Sequence, residues 1–203
     1  MRSETALLTN GMVMLAVATS ALVVMPYLLV GDARPAPGLK PYTTAQLRGR
    51  AQYIADGCVY CHSQQPRAKD FAPDAARGWG RPTVAGDYAY DSPHLLGTMR
   101  TGPDLMNIGV RQPNATWQLG HLFQPRAYVP GSIMPSFPFL FEIKPRLETG
   151  DVQVALPPGV VPANLQVVAR PEALDLVAYL QSLDRSYPAV VAAPPTPGAS
   201  GAR

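Results

Sequence analysis

From residue 5 to residue 31 the chain reads TALLTNGMVMLAVATSALVVMPYLLVG, without one charged side chain. A helix rising about 1.5 Å per residue needs about 20 apolar residues to cross the hydrocarbon core of a bilayer. The run is long enough, so it predicts a membrane-spanning helix, with Pro26 expected to kink it or to mark the approach to its end. A cleaved secretory signal is the rival reading. Signal cores are shorter, about 7–15 residues, and follow a basic N-terminus that Arg2 and Glu4 barely supply. An uncleaved anchor over residues 1–31 is therefore expected.

Residues 32–42 form a Pro-rich tether, which predicts extended chain lifting the next domain away from the bilayer. Thr43 or Thr44 then caps a helix over 45–54, in which Leu47, Ala51 and Ile54 recur at helical spacing. Residues 63–150 show few periodic runs and read as loops, with short helices near 105–110 and 115–123. The apolar strips 152–156 and 165–168 flank Pro157-Pro158-Gly159 and predict a small hairpin. Pro171 opens the clearest helix outside the anchor, running to Leu183. Its first turn carries Glu172, and Leu176, Tyr179, Leu180 and Leu183 share one face. From residue 188 to 203 a Pro/Ala-rich tail is expected to be disordered or wrapped on a partner. The pattern thus divides the chain into an anchor, a tether, one domain over 43–187 and a tail.

Composition changes this picture little. Hydrophobic residues make up 47% and charged residues 15%, with 23 prolines, as a membrane segment joined to much irregular chain requires. A net charge of +3 without a Lys/Arg run gives no ground for a nucleic-acid partner.

The chemistry is concentrated in Cys58-Val59-Tyr60-Cys61-His62, which holds both cysteines of the chain. Two cysteines two residues apart, followed at once by histidine, are the pattern of covalent c-type haem attachment. Two thioethers reach the vinyl positions on one edge of the porphyrin, and the next side chain turns beneath the ring to meet iron. A thioredoxin-like pair would need a βαβ context, and a zinc knuckle four ligands, with only His94 and His121 left to complete one. A disulfide across two residues would be strained. One covalent haem c is predicted, ligated by His62. Attachment of this kind occurs outside the cytoplasm, so the domain is expected on the periplasmic face of a bacterial inner membrane.

For the sixth ligand the candidates are Met99, Met106, Met134, His94 and His121. Met134 is preferred, because the proline-stiffened loop 130–138 can hold a thioether rigidly. Met106 reads as packing, and His94 and His121 as surface or hydrogen-bonding residues. Arg100, Arg111 and Trp79 are expected partners for the haem propionates. The Pro103 carbonyl is expected to accept the proton on the far nitrogen of His62.

Further residues carry a family resemblance. Gly57-Cys58-Val59-Tyr60-Cys61-His62-Ser63-Gln64, Val84-Ala85-Gly86-Asp87-Tyr88-Ala89-Tyr90-Asp91, Arg100-Thr101-Gly102-Pro103-Asp104-Leu105 and Ser132-Ile133-Met134-Pro135 together resemble the monohaem cytochrome c subunit (subunit II) of cbb3-type cytochrome c oxidases. The likeness covers roughly residues 5–187, and segments 65–81 and 142–170 depart from the family pattern. It implies a mainly α fold, a single N-terminal transmembrane helix plus a class I cytochrome c-like domain with long loops. It also implies axial ligands His62 and Met134, and no catalytic site on this chain. The implied partners are a haem–copper catalytic oxidase subunit and, as donor, another c-type cytochrome subunit or a soluble cytochrome c. Electron relay to an oxygen-reducing partner is the function expected. The alternatives are the monohaem subunit of a nitric oxide reductase, a free-standing anchored electron carrier, and a haem-based gas sensor.

Overall fold

The computed structural model describes residues 2–30 and 34–189, so the tail expected from residue 188 lies outside the described residues beyond Ala189. Helix α1 (Arg2–Thr19) runs without a break through a π-helical stretch, Ser20–Val24, into α2 (Met25–Val30). Pro26 lacks an N–H, and its ring crowds the carbonyl four residues earlier. The wider turn just before it, in which the Met25 N–H reaches the Ser20 carbonyl, makes room for that ring. The helix therefore passes Pro26 instead of ending there. Residues Glu4–Leu28 form a 25-residue span of mean hydropathy 2.0, none of it buried in the rest of the molecule. By length and composition it can cross a membrane, and it is the one such helix among the described residues.

Helix α3 (Thr44–Ala55) starts at a capping box: Thr43 Oγ1 accepts from the Gln46 N–H, and the Gln46 side chain accepts from the Thr43 N–H. It packs against α7 (Pro171–Ser182), whose Leu176 and Tyr179 are buried. The rings of Tyr53 and Tyr179 meet edge-on at 5.5 Å. Arg48 grips Asp175 with two bonds of 2.6 and 2.8 Å, but this pair is exposed and contributes little. The apolar seam holds the two helices together, at about 1.5–3 kcal/mol per large buried side chain.

Three short helices lie between them: α4 (Ile108–Arg111), α5 (Ala115–Phe123) and α6 (Pro125–Tyr128). A small antiparallel sheet follows, in the order β1 (Phe141–Lys144), β3 (Gln166–Ala169), β2 (Val152–Gln153). Val152 faces Ala169 and Gln153 faces Val168, the pairing expected of the two apolar strips. The third strand has no sequence signal, because Phe-Glu-Ile-Lys is short and half charged. The buried Phe141 ring meets Phe123 of α5 at 5.4 Å and joins the sheet to the core.

The described part of the tether does not stand off from the domain. Ala36 is buried, and its N–H donates to the Gly86 carbonyl at 3.0 Å. A Cβ on Gly86 would come within 2.6 Å of the Arg34 carbonyl oxygen, so only glycine lets this strand lie so close. Tyr187 packs on the other side, over Gly38. Asp87 fastens both sides: it pairs with Arg81 through two 2.8 Å bonds and accepts from the Tyr187 hydroxyl at 2.9 Å. The expected spacer is a docked strap.

Burial raises the Asp87 carboxyl, but Arg81, the Val84 N–H and Tyr187 outweigh it and hold the group below the usual carboxylate range. A carboxyl depressed in the folded state stabilises fully above its unfolded pKa of about 3.9, and that contribution is lost as pH falls further. Asp87→Asn is expected to cost about 1.5–3 kcal/mol at pH 7, typical of hydrogen bonds to a charged group. The deficit in melting temperature should shrink below about pH 4. An unchanged melting temperature at pH 7 would show that Asp87 does not fasten the strap.

Candidate functional site

Gly57 ends α3 in the left-handed region, at φ 72°, and turns the chain straight into Cys58. The Cys61 and His62 N–H groups both return to the Cys58 carbonyl, at 3.1 and 3.0 Å, so the five-residue motif is one tight turn. The two cysteines form no disulfide, and Cys58 is half-buried and Cys61 exposed. Burial, with Asp56 nearby, pushes the Cys58 thiol up to about 12. A thioredoxin-like thiol requires the opposite shift.

A second segment is laced onto this turn. The Gly102 N–H donates to the Cys61 carbonyl at 2.9 Å and the Leu105 N–H to the Ser63 carbonyl at 2.8 Å. Asp104, fully buried, accepts from Ser63 Oγ (2.6 Å), the Gln65 N–H (2.7 Å) and the Met106 N–H (2.9 Å). Burial pushes its carboxyl up despite these donors. The same lacing sets His62 Nδ1 2.7 Å from the Pro103 carbonyl. A carbonyl only accepts, so Nδ1 carries the proton and Nε2 keeps its lone pair. Burial lowers the His62 pKa against the pull of Pro103, which favours the neutral ring that a metal needs.

His62, Cys58 and Cys61 open onto a cavity of about 630 Å³, large enough for a sizeable ligand. Leu105, Ile108, Leu122, Phe137 and Leu180 supply much of its apolar wall. Of the five candidate sixth ligands, this cavity brings together with His62 only Met134 and His121. Met106 is wholly buried elsewhere, and Met99 and His94 are exposed. The Met134 loop is pinned at its far side, where the Phe137 N–H donates to the Leu122 carbonyl at 3.0 Å and Ser136 Oγ to Gln124 Oε1 at 3.1 Å.

Of the residues expected around the cofactor, Pro103 and Arg111 line the cavity, while Arg100 and Trp79 do not. Arg100 is committed to Asp74 at 2.6 Å and to the Gln65 carbonyl at 2.7 Å, and lies over the Trp79 ring at 5.4 Å. It braces the lacing from behind. Sequence reasoning gave no role to Asp104 as the tie, nor to His121 as part of the wall. The spacing Trp117–His121, four residues apart on a helix capped by Asn114, was the available signal.

The donor set matches what a haem c needs. Two thiols, a neutral imidazole and a thioether reach one apolar cavity, as covalent attachment and two axial ligands require. Arg111, a lining residue with no ion-pair partner among the described residues, brings a positive charge to this cavity for the acidic edge of such a group. The residues fit.

Comparison with known families agrees. The family model described as "Cytochrome C oxidase, mono-heme subunit/FixO" matches residues 1–157 of the 203. No curated protein matches the chain.

A Cβ at position 102 would overlap the His62 ring. Gly102→Ala is therefore expected to displace the imidazole and break its bond to Pro103, lowering the yield of haem-loaded protein severalfold while the chain still folds. A normal yield and an unchanged absorption spectrum would show that the close approach at Gly102 does not set His62.

Proposed function

The chain belongs to the FixO family of cytochrome c oxidase mono-haem subunits, and from that premise we propose that it relays electrons to the oxygen-reducing haem–copper subunit of a cbb3-type oxidase. The observation that carries the reading is the meeting of Cys58, Cys61, His62 and Met134 on one cavity, with His62 fixed as the Nδ1–H tautomer by Pro103. A haem c held there supplies reversible one-electron chemistry at iron. Cys58 and Cys61 would hold it covalently, each thiol adding its sulfur to one vinyl carbon and its hydrogen to the other, an addition that needs no oxidant.

The roles of this chain's residues follow. Pro103 raises the basicity of His62 by accepting its second proton. Met134 would serve as the second ligand to such an iron, which would oppose oxygen binding on this subunit. Its thioether favours a higher potential than a second imidazole would. Arg111 lines the cavity, its guanidinium pKa lowered by burial, and would pair with a propionate. No nucleophile–base pair is proposed on this chain, and reduction of oxygen belongs to the partner.

In this reading residues 1–31 anchor the protein as a single pass in a bacterial inner membrane. The strap 32–42 and the class I cytochrome c-like domain 43–187 lie in the periplasm, and 188–203 form a tail available to a partner. The donor is another c-type cytochrome subunit or a soluble cytochrome c.

Two measurements test this. Met134→Ala is expected to abolish the near-infrared methionine–iron charge-transfer band of the oxidised protein while covalent haem remains; a surviving band would remove Met134 as ligand. The complex purified in mild detergent through this chain should contain copper and more than one haem. A partner with non-haem iron and no copper would favour a nitric oxide reductase, and a lone monomer would defeat the subunit reading.

A further inference from the structure

The span Glu4–Leu28 holds one side chain that a bilayer cannot satisfy. Glu4 and Tyr27 stand at its ends, within reach of water and headgroups. Thr5, Thr9, Thr19 and Ser20 carry hydroxyls, and a helical hydroxyl can donate back to a carbonyl of the preceding turn. Asn10 carries an amide, with two donors and an acceptor, and this side chain makes no hydrogen bond among the described residues. The 25 residues extend about 37 Å against about 30 Å of hydrocarbon. Centred, the span sets Asn10 about 5 Å inside the hydrocarbon, and one methylene is too short to carry the amide out as Lys and Arg stems do. Lipid offers no hydrogen bond, and none of the span is buried in the rest of the molecule. The amide therefore calls for a polar group on another membrane-spanning segment.

Helical spacing sets Ala6, Val13 and Val17 on the face of Asn10, four before, three after and seven after it. These side chains are short or β-branched, so a neighbouring helix can come close and little rotamer freedom is lost. Leu8, Met12 and Leu15, longer and more flexible, lie on the opposite side, as a lipid-facing surface would. We propose that the Asn10 face docks on a membrane-spanning helix of the haem–copper subunit, where the amide pairs with a Ser, Thr, Asn, Gln or His side chain at its own depth. This rests on the reading of residues 1–31 as an uncleaved anchor in an oxidase complex. A second copy of this chain would bring the same amide. The family match takes in the whole helix and is to one subunit of an oxidase, which favours the helix of a different subunit.

The test uses the full chain, haem-loaded, first in native membranes and then in mild detergent. Asn10→Leu and Asn10→Ala remove the amide, Asn10→Gln keeps one, and Met12→Ala alters the opposite side. Retention in membranes washed at alkaline pH is read for each, with the copper recovered per tagged chain. All four should stay in the membrane. Asn10→Leu and Asn10→Ala should recover about three- to tenfold less copper, the range of hydrogen bonds between membrane helices expressed as an equilibrium constant. Asn10→Gln and Met12→Ala should stay within twofold of the parent. If Asn10→Leu does not accumulate, Asn10→Ala decides. Unchanged copper recovery in either amide-free protein would overturn the assignment, as would an equal loss in Met12→Ala. So would a second, differently tagged copy that comes down with the parent and is lost with the amide, because the occupant is then this chain itself. A parent washed out of the membrane would instead defeat the anchor, and a parent that retains no copper would defeat the proposed function.

Discussion

One buried carboxylate ties the site together. Asp104 accepts from Ser63, Gln65 and Met106, and so fastens the segment after the Cys58–His62 turn to the segment that carries Gly102 and Pro103. Burying a carboxylate is costly unless donors meet it, and here they do. Arg100 closes the arrangement from outside by bridging Ser63, Gln65 and Asp74. The position of the Pro103 carbonyl against His62 follows from this lacing, and with it the tautomer of the ring. A polar cluster just behind the cavity wall thus sets the state of the atom that faces it.

The same economy governs the other side of the domain. Asp87 fastens Arg81 and Tyr187, and Gly86 lets the chain at Arg34–Ala36 pass within hydrogen-bond reach. The Ala-Gly-Asp-Tyr block that contributes to the family resemblance therefore has a mechanical meaning in this chain. Val30 closes the apolar helix, and Arg34 is already docked four residues later, at most about 14 Å along extended chain.

Much of this was legible from residue pattern. The apolar run 5–31, a cap at Thr43 or Thr44, the helices near 115–123 and 171–183, and the pairing of the two Val-rich strips all follow from periodicity or cap chemistry, which act locally. What escaped depends on contacts across long stretches of chain. The strand Phe141–Lys144 has no pattern of its own and exists because β3 offers it an edge. The tether reads as a spacer from its prolines, and only Gly86 and Tyr187, some 50 and 150 residues onward, reveal the docking. Within the site, the Cys58–His62 motif and the Met134 loop were plain. Arg100 looked like a propionate partner because an arginine near the motif invites that role, whereas its charge is met by Asp74. His121 read as a candidate ligand or as a surface or hydrogen-bonding group, and only the fold shows that α5 places it on the cavity wall.

The central claim is that Cys58 and Cys61 hold one haem covalently between His62 and Met134. It is tested most directly by denaturing the purified chain and extracting it with acidified organic solvent, then measuring the intact mass of the polypeptide. The account predicts that the colour stays with the protein and that the mass exceeds the polypeptide's by that of one haem. Haem that passes into the solvent, leaving the bare polypeptide mass, would contradict it.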